Sequence, residues 1–150
     1  MTKLYLAHPI VDRHWIRELE LQMEGRLGIE LVNPFYDDAE RDNIQQLDAG
    51  MTHHEYDKSL DPEYIVKGDL AAVERCDGCL VFVTDKASVG IYMELFHNSY
   101  NLHKPAYLIV SDEHKAQHPW LRYMATKIFR ASGEFEEWWK MFNFTPKSPS

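Results

Sequence analysis

The residue whose chemistry stands out in this sequence is Glu94, the only charged residue in the apolar run 89–96. Such a run predicts a largely buried segment, where an ionised carboxylate without a partner costs several kcal/mol or changes its pKa. Two interpretations are open. Either Glu94 is half-exposed or paired with a cation, as glutamates in apolar helices usually are, or it faces a cleft and acts as a nucleophile or general base.

A carboxylate that attacks a sugar carbon needs an orienting group and a second acid that assists the leaving group. Tyr5 is a candidate orienting group, because its hydroxyl can donate a hydrogen bond and a polar tip inside a strand needs a partner. Asp69 is a candidate second carboxylate within a predicted helix. The ordinary alternatives are a core tyrosine bonded to backbone or water, and a surface charge beside Glu74 and Arg75.

The elements that must position these residues alternate between strand and helix. Apolar segments predict five strands, over 3–7, 29–32, 78–83, 105–110 and 127–129. Helical spacing predicts helices over 12–27, 89–102, 118–124 and 133–142, and Gly28 should cap the first of these. A further helix should begin at Asp61 and Pro62, with an apolar face of Tyr64, Ile65, Leu70 and Val73. This alternation predicts a single α/β domain over 1–150, with a mostly parallel sheet of about five strands and helices on both faces.

Parallel strands place their carboxyl ends at one edge of the sheet, where open α/β sheets bind their ligands. Three segments should therefore meet there: 7–10, 33–37 and 84–90. Glu94 follows the last of them by one helical turn, which places it beside the predicted crevice. The stretch 35–59 is polar and aperiodic, and a connection of this length predicts a binding loop or lid.

Charge and composition limit the partners. The 150 residues carry a net charge of −8, which argues against nucleic acid or an anionic membrane but permits a small phosphorylated ligand. The sequence shows no signal peptide and no apolar run near the roughly 20 residues that cross a bilayer, so we expect a cytoplasmic protein. Cys76 and Cys79 form a lone C-x-x-C, which predicts reduced core thiols, and the histidines show no metal-ligand spacing.

Several short blocks together resemble the nucleoside 2-deoxyribosyltransferase family. They occur in order over about 3–110, and the spacing from Gly90 to Glu94 matches the family's nucleophile motif; the blocks are 4–9, 68–70, 76–78, 89–95 and 104–105. The resemblance implies a flavodoxin-like, Rossmann-like fold without metal or organic cofactor. It also implies a homo-oligomer in which a neighbouring subunit completes each active site.

The resemblance also implies a reaction in two halves. Glu94 would attack the anomeric carbon of a 2'-deoxyribonucleoside, expel the nucleobase and hold the sugar as an ester until a second base attacks. Tyr5 would orient Glu94, and Asp69 would contact base or sugar at the reacting centre. The partners would be small-molecule nucleosides or nucleotides and free nucleobases. The same comparison predicts a substrate-binding set of Ser88, Gly90, Asp85, His8 and Ile10.

Ser88 departs from the transferase pattern, which has an aspartate six residues before the nucleophile to assist the leaving base. The related deoxynucleoside 5'-monophosphate N-glycosidases have serine there to hold the 5'-phosphate. A serine at a helix start suits an anion, although it is also an ordinary N-cap. One feature argues against a resemblance to these N-glycosidases: the loop 7–10 lacks the glycine and arginine that those hydrolases have there. Arg13 could substitute for that arginine, and Asp85 could replace the missing acid.

Three functions therefore remain as hypotheses. The leading one is nucleobase exchange by a deoxyribosyltransferase, and the second is hydrolysis of a deoxynucleoside 5'-monophosphate. The third is a non-catalytic nucleotide-binding module on the same fold. A phosphoacceptor domain is excluded, because His8 and Pro9 occupy the position where its acidic cluster should stand. His8 itself is either a ligand contact or a structural histidine.

Overall fold

A computed structural model describes residues 1–36, 61–86 and 89–143. Within these ranges the strands form one parallel sheet in the order β2-β1-β3-β4-β5. The strands are β1 (Lys3–Ala7), β2 (Glu30–Val32), β3 (Gly78–Val83), β4 (Ala106–Val110) and β5 (Lys127–Phe129). This is the flavodoxin-like order, whose switch point lies between β1 and β3. The predicted α/β fold with a parallel sheet is confirmed.

Six α-helices accompany the sheet in the described ranges. They are α1 (Arg13–Leu27), α2 (Pro62–Arg75), α3 (Val89–Phe96), α4 (Glu113–Ala116), α5 (Pro119–Met124) and α6 (Ser132–Asn143). A 3-10 turn, Ile10–Asp12, precedes α1, and a π-helical turn, His97–Asn101, follows α3. The predicted helix over 89–102 is therefore an α-helix continued by a π-helical turn, a distinction that apolar spacing does not reveal.

Local signals in the sequence explain where two of the helices begin and end. Gly28 ends α1 with a φ of 64°, in the left-handed region that favours glycine. Asp61 caps α2, because its carboxylate accepts from the backbone N–H groups of Glu63 at 3.1 Å and Tyr64 at 3.3 Å. Both were predicted.

The sheet divides the core into two halves. Tyr5 and Ala7 of β1 face the half that α2 and α3 cover, together with Ala72, Val73, Ile91 and Leu95. The alternating residues Leu4 and Leu6 face the half that α1 and α6 cover, together with Ile16, Met23, Phe135 and Trp139. Every residue of β3 is buried, which explains its unbroken apolar sequence.

One detail of α2 was predicted wrongly. Tyr64 was expected on its apolar face, but this side chain is 43% exposed. It lies nine positions before the buried Val73, which places the two side chains on opposite sides of a helix. Among the described helices, none combines the length and the apolar character that a bilayer crossing requires.

Candidate active site

The carboxyl ends of β2, β1 and β3 lie side by side in the sheet, so the segments that follow them border one crevice at the switch point. These segments are 33–36, the turn Ile10–Asp12 with His8 and Pro9 before it, and 84–86. The convergence agrees with the arrangement expected from the sequence. Ser88 and most of the expected lid at 35–59 lie outside the described residues.

Glu94 and Tyr5 lie on the same side of the sheet. Tyr5 is fully buried and is opposite Cys79 in the β1–β3 ladder. Burial raises the pKa of the Cys79 thiol, and the negative charge of Glu94 raises that pKa further. The half-buried Glu94 carboxylate is therefore within electrostatic reach of the β3 residue that pairs with Tyr5.

Asp69 belongs to the same half of the molecule. It is half-buried and precedes Ala72 and Val73 by three and four positions, so it lies on the sheet-facing stripe of α2. Helices α2 and α3 contact each other directly. The structure thus gathers the three predicted catalytic residues on one face of the sheet. Gly90 lies in the first turn of α3, and Asp85 is exposed in the bend after β3.

His8 lies at the carboxyl end of β1 and packs toward the β2 side. Its ring contacts that of Phe35, with centroids 4.9 Å apart, and its Nδ1 lies 2.9 Å from the carbonyl oxygen of Pro9. That contact makes Nδ1 the donor and Nε2 the acceptor, and the buried Nε2 has no hydrogen-bond partner in the described part of the chain. Burial lowers the pKa of His8. The hydrogen bond to Pro9 and the nearby Asn33 side chain raise this pKa, but by less than burial lowers it.

A buried polar network that the sequence analysis missed fixes the segment after β2. Asn33 donates from Nδ2 to Glu20 at 2.8 Å and accepts from the backbone N–H of Phe35 at 3.0 Å. Glu20, almost fully buried, also pairs with Arg17, whose guanidinium lies over the ring of Tyr36. The network holds Phe35 against His8. The i, i+3 spacing of Arg17 and Glu20 is the only sequence signal that hints at it.

A second missed contact spans the switch point. Asp12, expected only at the start of a helix, accepts from Nε1 of Trp15 at 3.0 Å and from the hydroxyl of Thr84 at 2.8 Å. The Trp15 ring meets Phe82 of β3 edge-on at 5.9 Å. Asp12 therefore connects the segment after β1 to the segment after β3.

The remaining candidate ligands do not form a metal centre within the described ranges, where no group of three or more His, Cys, Asp or Glu side chains is placed to hold an ion. Cys76 and Cys79 are buried free thiols. Burial raises the pKa of Cys76 to about 11, so both thiols are protonated and unreactive near neutral pH. Ile10 is buried in the 3-10 turn after β1.

Comparisons with known proteins agree with this fold. No protein-family model matches the sequence, and a search of curated proteins finds no match. Among solved structures, a conserved protein from Enterococcus faecalis aligns with a TM-score of 0.66 at 17% identity, covering 94% of this chain and 98% of its own. A CMP N-glycosidase from Clostridium botulinum aligns with a TM-score of 0.60 at 17% identity, covering 94% of this chain and 99% of its own.

A 2-deoxyribosyltransferase from Bacillus psychrosaccharolyticus aligns with a TM-score of 0.61 at 21% identity, covering 90% of each chain. These likenesses extend over nearly the whole length of both aligned chains and show a shared fold. The chain has the flavodoxin-like fold that a 2-deoxyribosyltransferase and an N-glycosidase share.

Proposed function

We propose that this protein is an enzyme of the N-glycosidic bond, a nucleoside 2-deoxyribosyltransferase that exchanges the nucleobase of 2'-deoxyribonucleosides. The observation that supports this most is the half-buried Glu94 on the same face of the sheet as Tyr5 and Asp69. A binding module has no need for such a carboxylate. The two fold relatives of named activity, a deoxyribosyltransferase and an N-glycosidase, support the same class of reaction.

In the proposed reaction, a Glu94 oxygen forms a bond to the anomeric carbon while the bond from that carbon to the base nitrogen breaks. The leaving base gains a proton, for which Asp69 and the loop residue Asp85 are the candidate acids. A nitrogen of a second base then bonds to the same carbon from the face that the first base left, the bond to Glu94 breaks, and the N–H proton of the incoming base returns to the acid that protonated the first. Tyr5 donates a hydrogen bond that orients Glu94. The reaction needs no metal or organic cofactor.

Hydrolysis of a deoxynucleoside 5'-monophosphate is the second candidate. Ser88 favours it, because a serine that immediately precedes a helix in the sequence suits a phosphate rather than acid catalysis. The fold relative that acts on CMP also supports a monophosphate substrate. In this alternative, water replaces the second base, and Gly90, His8 and Ile10 remain in the proposed substrate-binding set.

We propose further that the active protein is a homo-oligomer in which a second copy covers α3 beside Glu94. Val89, Met93 and Tyr100 are each more than half exposed, and Phe96 stacks on Tyr100 with ring centroids 4.9 Å apart. Val89 and Met93 are four positions apart on the side of α3 away from its buried residues Ile91 and Leu95, and Tyr100 belongs to the π-helical turn that follows. We place the reaction in the cytoplasm, where the buried thiols would stay reduced.

The test is to incubate the protein with deoxyinosine and free adenine, and separately with deoxynucleoside monophosphates alone, and to follow the products by chromatography. Deoxyadenosine in the first reaction supports the transferase. Free base from the monophosphates alone supports the hydrolase. Glu94→Ala should abolish either activity, whereas Glu137→Ala, which removes an exposed carboxylate from α6, should leave it unchanged. Undiminished turnover by Glu94→Ala would refute both.

A further inference from the structure

Thr84, the first residue after β3, is held by hydrogen bonds on several sides. Its hydroxyl donates to Oδ2 of Asp12 at 2.8 Å and accepts from the backbone N–H of Lys86 at 3.1 Å. Its carbonyl oxygen accepts from Nζ of Lys115 at 3.2 Å. A hydroxyl has one proton to donate and lone pairs to accept with, so the two side-chain bonds are compatible and fix its direction.

Asp12 is itself fixed in place. Its side chain is almost completely buried, and its other carboxylate oxygen accepts from Nε1 of Trp15 at 3.0 Å. Trp15 is a residue of α1 and packs edge-on against Phe82 of β3. Hydrogen bonds to an ionised carboxylate are about twice as strong as neutral ones, so this anchor resists displacement.

The chain of contacts runs from α1 through Asp12 and Thr84 to the amide of Lys86, and so sets the turn that contains Asp85. That turn leads to the start of α3, the helix that carries Glu94. We infer that Asp12 and Thr84 are a pair of positioning residues that hold the turn 84–86 after β3 in its catalytic conformation. The effect on turnover rests on the proposed function, whereas the effect on the loop does not.

The test compares Thr84→Val, which keeps the shape but removes the hydroxyl, with Thr84→Ser, which keeps the hydroxyl. The matched control is Thr126→Val, since the Thr126 hydroxyl accepts from the backbone N–H of Ala106 at 3.0 Å at the opposite edge of the sheet. We expect Thr84→Val to lower kcat by about 10- to 100-fold, the scale of a small misplacement of reacting groups. Thr84→Ser should restore kcat, and Thr126→Val should lower only the Tm.

Hydrogen exchange gives a readout that does not depend on activity. The Lys86 amide should be protected in the wild-type protein and in Thr84→Ser, and should exchange faster in Thr84→Val. If the wild-type protein turns over no nucleoside or nucleotide, the proposed function fails, but the exchange of this amide still decides whether the pair holds the loop. The inference would be overturned if the Lys86 amide exchanged in Thr84→Val at the wild-type rate. It would also be overturned if Thr84→Val had a lower Tm but an unchanged kcat. If Thr84→Val does not fold, Thr84→Ala takes its place.

Discussion

Tyr5 and Cys79 are directly opposite each other in the β1–β3 ladder, and both are buried in the half of the core that α2 and α3 cover. The charge of Glu94 raises the pKa of that Cys79 thiol. The pairing therefore links the first strand of the chain to a carboxylate on a helix almost ninety residues later. It supports the proposal that Tyr5 and Glu94 act in one reaction.

Tyr5→Phe should lower kcat by about 10- to 100-fold, because a hydrogen bond to a charged group contributes roughly 1.5–3 kcal/mol. The fold should remain, since the ring still fills its place in the core. Steady-state kinetics measures the effect. Tyr107→Phe is the matched control, because Tyr107 is a buried tyrosine of β4 that packs in the other half of the core. A similar loss of kcat in both variants would mean that Tyr5 has no orienting role.

His8 should make the protein less stable in mild acid. Its folded-state pKa is lowered below the usual 6.5, chiefly by burial, so below pH 6.5 the unfolded chain binds the proton more readily. This contribution to stability is complete above pH 6.5 and is lost as the pH falls toward the folded-state pKa. Urea midpoints between about pH 7.5 and pH 5 should fall less for His8→Gln than for the wild-type protein.

The control for that experiment is His114→Gln, since His114 is exposed on the short helix α4. It should keep the wild-type dependence of the urea midpoint on pH. Parallel curves for His8→Gln and the wild-type protein would show that burial of His8 does not produce the dependence.

Gly78→Ala should destabilise the protein by about 1–3 kcal/mol, the usual effect of overpacking. A β-carbon at Gly78 would lie 2.5 Å from the carbonyl oxygen of Pro105, which is rigid backbone that accepts from the amide of Cys79 at 3.0 Å. Gly25→Ala is the opposite case, because a β-carbon there meets no atom within 4 Å and the site is inside α1. It should stabilise by up to about 1 kcal/mol. Urea unfolding of both variants measures the contrast, and equal midpoints would contradict it.

Met93→Asp should weaken the proposed oligomer, because Met93 is 60% exposed on the side of α3 away from its buried residues. Met141→Asp serves as the control, since Met141 is 75% exposed on α6, far from the proposed contact in sequence. Light scattering coupled to size exclusion should give a lower mass for Met93→Asp only. Identical masses for the wild-type protein and both variants would remove α3 as the interface.

The fold could be predicted from the sequence because its signals are local. The apolar run of β3, the cap at Asp61 and the glycine after α1 each determine structure within a few residues. The contacts around the candidate site are different, since Asp12 and Thr84 are 72 positions apart and Glu20 and Asn33 belong to different elements. Contacts between residues so far apart in the chain leave no periodic pattern in the sequence, so the sequence analysis missed them. The helix predicted over 89–102 is an α-helix to Phe96 followed by a π-helical turn over His97–Asn101, because apolar spacing in so short a segment does not distinguish i→i+4 from i→i+5 hydrogen bonding.

The division of the core by the sheet has a consequence for engineering. The residues proposed for catalysis belong to the half that α2 and α3 cover, whereas the aromatic side chains Phe135 and Trp139 fill the half that α1 and α6 cover. Arg26 of α1 joins Glu136 of α6 through two hydrogen bonds, of 2.7 and 3.0 Å, on that second side. Thermal stability can therefore be sought in the contact between α6 and the last turn of α1, which leaves the Trp15–Asp12 and Glu20–Asn33 contacts intact, while libraries for the proposed nucleobase exchange are confined to the opposite side of the sheet.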